Sequence, residues 1–240
     1  MKPSRALGIL LLSGTAFVAL PNVAAAQDAT NTAQPPVPPF AQRDETWGTV
    51  SSITMLIGAG TVTLMPRVYY NDPEATVGWK ARFHFSQLAP ALAITAATLL
   101  VDQPIKDALE GTRPGCTVDE TRVAFPDSGC ESFGGPSTHS FAAWGAAGAG
   151  FGIWISDTFI HSDGNVHVGS IIGNIAVPVT AAVITSVGRG VEPGAAEAYE
   201  DPGQIIAGVG FGLVFGFLSG LAYSALQEPN CGYGNNVVCW

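Results

Sequence analysis

Five long stretches of this chain contain no Asp, Glu, Lys or Arg: Trp47–Pro66, Phe85–Val101, Ser137–Ser156, Gly169–Gly188 and Gly203–Leu226. Nothing else in the sequence constrains the fold as strongly. Each is close to the length needed to cross a bilayer, where only an element that satisfies its own backbone hydrogen bonds survives. A soluble bundle needs a polar stripe on most of its helices, whereas these stretches replace the stripe with Gly, Ala, Ser and Thr, the residues that let membrane helices approach closely. The expectation is an all-α protein, a helical bundle of about five to six mostly membrane-spanning apolar helices. Its helical domain is expected to run over 47–226. Hydrophobic residues make up 47% of the chain and charged residues 12%, a balance suited to a membrane protein. The Gly/Ala-rich character leaves a soluble, periplasmic all-α protein as the alternative.

The ends read differently. Residues 1–26 have the pattern of a secretory signal: Lys2 and Arg5, an apolar run from Ala6 to Leu20, then Ala24-Ala25-Ala26 before Gln27. An uncleaved signal anchor is the competing reading. Residues 27–46 contain the Pro-rich piece Gln34–Phe40 and read as a tether, and 227–240 form a tail with a cysteine pair. A net charge of −9 with no Lys/Arg stripe argues against nucleic acid as a partner. The four cysteines, Cys116, Cys130, Cys231 and Cys239, allow three pairings, and spacing suggests Cys116–Cys130 and Cys231–Cys239. Their spacing does not fit a metal site, and neither a metal nor a cofactor is expected.

If the apolar segments run antiparallel, their connections sort onto two sides. Val101–Pro136 and Arg189–Asp201 share one side with the start of the Ser137 segment. Arg67–His84 and Asp157–Val168 share the other. Arg67, Lys80 and Arg82 in a short loop favour the cytoplasm for that second side, which puts the Ser137 side in the periplasm or exterior of a bacterial-type envelope. A fifth span would then leave the Cys231–Cys239 tail on the cytoplasmic side, where a disulfide is unexpected.

The Ser137 side also gathers the chemistry. Phe133-Gly134-Gly135-Pro136-Ser137-Thr138-His139-Ser140 reads as a helix start with Ser137 as N-cap. Its first-turn N–H groups and positive dipole end favour an anion, and His139 stands within reach to pass a proton. The plain alternative is a capped helix with an incidental histidine. Lys106 and Arg113, seven residues apart, would stand two turns along one helix face before Pro114 stops the helix. Lys106 alternatively pairs with Asp102 or Glu110. Arg189, at the end of the fourth apolar segment, is the third cation on this side. Three basic residues beside a helix N-terminus require an anion or local carboxylates for balance.

The order Lys106-x6-Arg113-Pro114, then Pro136-Ser137-x-His139, then Arg189 after a further helix resembles the superfamily of type 2 phosphatidic acid phosphatases, bacterial non-specific acid phosphatases and vanadium haloperoxidases. The resemblance covers roughly Phe85 to Leu226, with Thr138 where the family usually has Gly. It implies an all-helical fold in which Lys106, Arg113, Ser137, Thr138 and Arg189 cradle a phosphoryl group and His139 acts as general acid. The substrate it implies is a phosphate ester or lipid phosphate at the membrane. Positioning and charge neutralisation carry such a reaction.

The family's third motif, S-R-x5-H-x3-D, supplies a nucleophilic histidine that this chain lacks. Gly188-Arg189 stands for Ser-Arg, and the histidine position falls on Ala195, or on Glu200 if Gln204–Gly208 is matched to the next helix start. His84, His161 and His167 are expected at the opposite ends of the helices, about 30 Å away. The loop offers Glu192, Glu197, Glu200 and Asp201 instead, and Glu200 is the candidate carboxylate nucleophile. Two readings follow: a membrane phosphatase hydrolysing a phosphomonoester or lipid phosphate on the exported side, or a catalytically impaired relative that binds phosphate or phospholipid head groups. A haloperoxidase ranks third, since it too needs the absent histidine.

Overall fold

A computed structural model describes residues 45–64, 88–113, 116–123, 133–162, 164–190 and 200–226, all within the unit Pro39–Trp240. Among them every regular element is helical: α1 (Glu45–Leu64), α2 (Leu88–Leu100), α3 (Lys106–Leu109), α4 (Val118–Val123), α5 (Thr138–Ser156), α6 (Val168–Ile171), α7 (Val177–Gly190) and α8 (Pro202–Ala225). π-helical turns at Val101–Ile105 and Ile172–Ala176 join α2 to α3 and α6 to α7, and a third, Asp157–His161, prolongs α5. The signal segment, the Pro-rich piece, the Arg67–His84 loop and the C-terminal tail lie outside the described residues. α1 begins at Glu45, inside the stretch expected to be tether.

Helix α5 is the centre of the bundle, and its sequence explains why. It consists largely of Gly and Ala, and Ala143, Ala146, Ala147 and Ala149 are buried along it. Small side chains let other helices come to backbone contact. The closest neighbour is α8, which runs parallel to α5 and carries Gly208, Gly212, Gly216 and Gly220 at every fourth position. A Cβ at Gly212 would overlap the backbone of Phe141, one at Gly216 that of Gly145, and one at Gly220 that of Ala149. Gly148 and Gly152 of α5 return the fit against the α8 backbone at Leu213 and Phe217. Residues four apart share a helix face, so two such rows mesh along the whole length.

α1 and α7 pair antiparallel on another side of α5. Gly188 meets Trp47 and Ser51 near one end, Thr54 and Thr185 share a 2.9 Å hydroxyl hydrogen bond, and Gly58 packs on Ala181. α2 is antiparallel to α5, with Ile94 beside Gly145 and Asp102 beside Thr138.

The distribution of side-chain size is the reverse of a soluble core. Small residues fill the interior, while Leu56, Leu64, Leu92, Leu99, Phe211 and Leu218 are exposed on the outside. Water penalises such a surface and hydrocarbon does not. Three helices are long and apolar enough to cross a membrane: Thr46–Leu64, Val168–Gly190 and Pro202–Ala225. This is fewer than the five segments expected. The described part of the second segment, Leu88–Leu100, has 13 residues, and a helix of that length reaches only about 20 Å. The third segment became the enclosed α5, whose Gly, Ala and hydroxyl residues suit helix contact.

Candidate anion site

The polar residues singled out in the sequence meet at the N-terminal end of α5. Three chain segments are stitched together there by backbone hydrogen bonds. Gly134 N–H donates to Gly111 O at 2.8 Å, and Ser137 N–H donates to Gln204 O at 2.9 Å. Gln204 is the hub of this stitching. Its Nε2 donates to Thr112 O at 2.6 Å, and its Oε1 accepts from Asp201 N–H at 3.1 Å. The second bond belongs to a capping box that starts α8, in which Asp201 Oδ1 accepts from Gly203 N–H at 2.7 Å. Gly134 leaves room for this hub, because a Cβ there would stand 2.6 Å from Gln204 Oε1 and displace that side chain from its bonds.

Ser137 is the N-cap, as its position before the apolar run predicts. Its hydroxyl accepts from Ser140 N–H at 3.1 Å, and the residue is fully buried. The hydroxyl therefore fixes the helix start. Helix geometry leaves the N–H groups of Thr138 and His139 without intrahelical acceptors, so they remain the first-turn donors.

The expectation that Lys106 and Arg113 share one helix face is corrected. α3 stops at Leu109, where Glu110 takes a left-handed conformation with φ 48° and its N–H returns to Lys106 O at 2.9 Å. That cap turns the chain into the Gly111 bridge with Gly135, so Arg113 arrives on an irregular segment. Its charge still acts on both Lys106 and His139. The two cations are brought together by the Gly111–Gly135 contact.

Each remaining cation has a carboxylate close by. Lys106 is buried, 3% exposed, and its Nζ lies 3.1 Å from Asp102 Oδ1. The same oxygen accepts from Thr138 Oγ1 at 2.9 Å. Burial pulls the Lys106 ammonium below its ordinary pKa, against the Asp102 carboxylate that holds it up. For Asp102 burial acts upward, but the Thr138 hydroxyl and Lys106 outweigh it and keep the carboxyl below its ordinary value. Arg189 Nη2 donates to Glu200 Oε1 at 3.1 Å, and Glu200 N–H donates to Arg189 O at 3.2 Å. Both side chains are buried, Arg189 being 8% exposed and Glu200 1%. The second Glu200 oxygen, Oε2, is buried and has no hydrogen-bond partner among the described residues.

His139 stands among these groups. Its Nε2 lies 3.3 Å from Ser52 Oγ of α1, and the charges of Arg189, Lys106, Arg113 and Glu200 all act on its ring. The other described histidines are elsewhere: His161 Nε2 contacts Ser224 O at 2.8 Å at the far end of α8, and His167 precedes α6. His84, Glu192 and Glu197 lie outside the described residues. So do Cys130, Cys231 and Cys239; Cys116, the only described cysteine, is not a free thiol. The anion-side residues that the motif reading missed are Gln204 and Ser52. Both are polar residues inside charge-free segments, a signal that a search for charged side chains passes over.

Fold and site together define a membrane-associated protein, helical throughout its described elements, with a largely buried cluster of cations and carboxylates at one end of its central helix. No protein-family model, curated protein or solved structure matches the chain.

Proposed function

We propose that this protein binds the phosphate group of a phosphomonoester or lipid phosphate at the N-terminal end of α5, as a phosphatidic-acid-phosphatase-like protein without turnover. The observation that carries the reading is the convergence of Lys106, Arg113 and Arg189 on His139 beside a helix N-terminus. Lys106 and Arg189 are each held by a carboxylate, Asp102 and Glu200, and the charge of Arg113 acts on the same cluster. The helix N-terminus adds a partial positive charge. Binding is favoured over hydrolysis because the position expected to hold a nucleophilic histidine holds Glu200, which is buried and already bonded to Arg189.

Hydrolysis is the second reading, and one observation supports it: the charge of Glu200 acts on His139, so a carboxylate and an imidazole share the site, although burial and then the Arg189 charge push the imidazole pKa down to about 4. In that reading a Glu200 oxygen attacks phosphorus, and the leaving alkoxide takes the proton of His139. Water then attacks the acyl phosphate, giving one proton back to His139 as the P–O bond to Glu200 breaks, which releases inorganic phosphate and restores both Glu200 and His139. The charged loop Arg67–His84 supports a site on the periplasmic or outer side, across the bilayer from Arg67, Lys80 and Arg82.

Phosphate release from phosphatidic acid and from a generic phosphomonoester separates the two readings. The binding reading expects no release above that of a His139→Ala, Glu200→Ala double variant, together with phosphate binding that Arg113→Ala abolishes. Turnover that both single variants remove would establish hydrolysis instead.

A further inference from the structure

We propose that Glu200 makes the cation cluster selective for an anion that carries its own proton. Hydrogen phosphate and a protonated phosphomonoester are preferred to sulfate and a phosphodiester. The inference rests on the anion-binding reading above and specifies which anion that site takes.

Glu200 is held rigidly. Its backbone N–H is bonded to Arg189 O at 3.2 Å, its Oε1 to Arg189 Nη2 at 3.1 Å, and the side chain is 1% exposed. Oε2 is the remainder, a buried carboxylate oxygen with no donor among the described residues. A fold seldom retains such an atom, because a buried acceptor left unsatisfied costs the solvation it gave up. The carboxylate is bonded to Arg189 and lies near enough to Lys106 and His139 for its charge to act on both. In the proposed arrangement Oε2 stands against an anion drawn to Lys106, Arg113 and Arg189.

The chemistry of that meeting depends on a proton. A fully ionised oxyanion turns acceptor lone pairs toward another acceptor, and two like charges face each other. A phosphate that keeps a P–OH donates that hydrogen to Oε2 and directs its charged oxygens to the cations, a charge-assisted bond of the strong kind. Sulfate at neutral pH and a simple diester have no such hydrogen. A free hydrogen phosphate and the monoester head group of a lipid share the feature, so the inference covers both sources.

The test uses full-length protein purified in detergent, titrated calorimetrically at about pH 6, where a monoester phosphate is half protonated. Inorganic phosphate and sulfate form one arm; vesicles containing phosphatidic acid or, as diester control, phosphatidylmethanol form the other. The expected result is phosphate bound more tightly than sulfate by about tenfold or more, the worth of one hydrogen bond to a charged group. Phosphatidic acid should be preferred to the diester by a similar factor, and which monoester source binds more tightly tells the lipid from the free anion. In Glu200→Gln the amide keeps an oxygen for Arg189 and presents N–H hydrogens in place of Oε2, so sulfate should gain and the ratio fall to within about threefold. Equal binding of phosphate and sulfate by the wild type overturns the proposal, and so does a Gln variant that keeps the full preference. Should that variant not fold, the wild-type ratio decides alone. Binding of none of the probes overturns the anion site itself, and the selectivity with it.

Discussion

At the residue scale, the site depends on carboxylates placed against cations that the fold has taken out of water. Asp102 serves two donors with one oxygen, Lys106 Nζ and Thr138 Oγ1. Asp102→Asn leaves Lys106 buried without its carboxylate; because the Asp102 side chain is half exposed and screened by solvent, the cost should be only about 1 kcal/mol in denaturation measured in detergent. The folded carboxyl titrates below its ordinary value of 3.8, so the stability it supplies is present above that value and disappears as pH falls through the lower, folded one. Acid unfolding should accordingly be shallower in Asp102→Asn than in the wild type. The Arg189–Glu200 pair is more deeply buried and its members are less replaceable one at a time. Glu200→Ala should destabilise by about 3–5 kcal/mol, whereas Arg189→Met with Glu200→Leu should cost less than that single change, because the double variant leaves no buried charge behind. Thermal melts of the two variants side by side check this, and a double variant as unstable as Glu200→Ala contradicts it.

At the scale of elements, the seam between α5 and α8 sets where the site's parts stand. Gly208 packs on Ser137 and Ser140, so the row of small residues in α8 fixes the height at which Gln204 meets Ser137. Gly216→Val should prevent this approach and abolish folded protein in size-exclusion chromatography, since the added carbons fall on the Gly145 backbone. Gly210, on the same helix, has open space where a Cβ would go, and Gly210→Ala should raise stability by about 1 kcal/mol through helix propensity alone. Much of this arrangement was legible in the sequence. The helix start at Ser137 follows from capping chemistry, and the meeting of Lys106, His139 and Arg189 at one end follows from alternating the direction of apolar segments. The path of Arg113 was not legible. A spacing of seven suggests two helical turns, and only the left-handed Glu110 and the contact between Gly111 and Gly135, far apart in sequence, divert it. The central place of α5 was also hidden, because a Gly/Ala-rich segment reads the same whether lipid or protein surrounds it.

For the whole molecule, small residues inside and large apolar residues outside describe a bundle dissolved in hydrocarbon, with its polar cluster at one end. The proposed orientation, with the cluster on the exported side, can be tested directly. An impermeant thiol reagent applied to intact cells should modify Asp107→Cys and spare Asn165→Cys until the membrane is opened; both positions are exposed, at opposite ends of the bundle. The reverse pattern would place the cluster in the cytoplasm. The central claim is that this cluster is an anion site, and direct titration of the purified protein with inorganic phosphate tests it most simply. The account predicts saturable binding at one site that Arg113→Ala abolishes without lowering the melting temperature by more than a few degrees. Phosphate that does not bind, or that binds Arg113→Ala as well as the wild type, would contradict it.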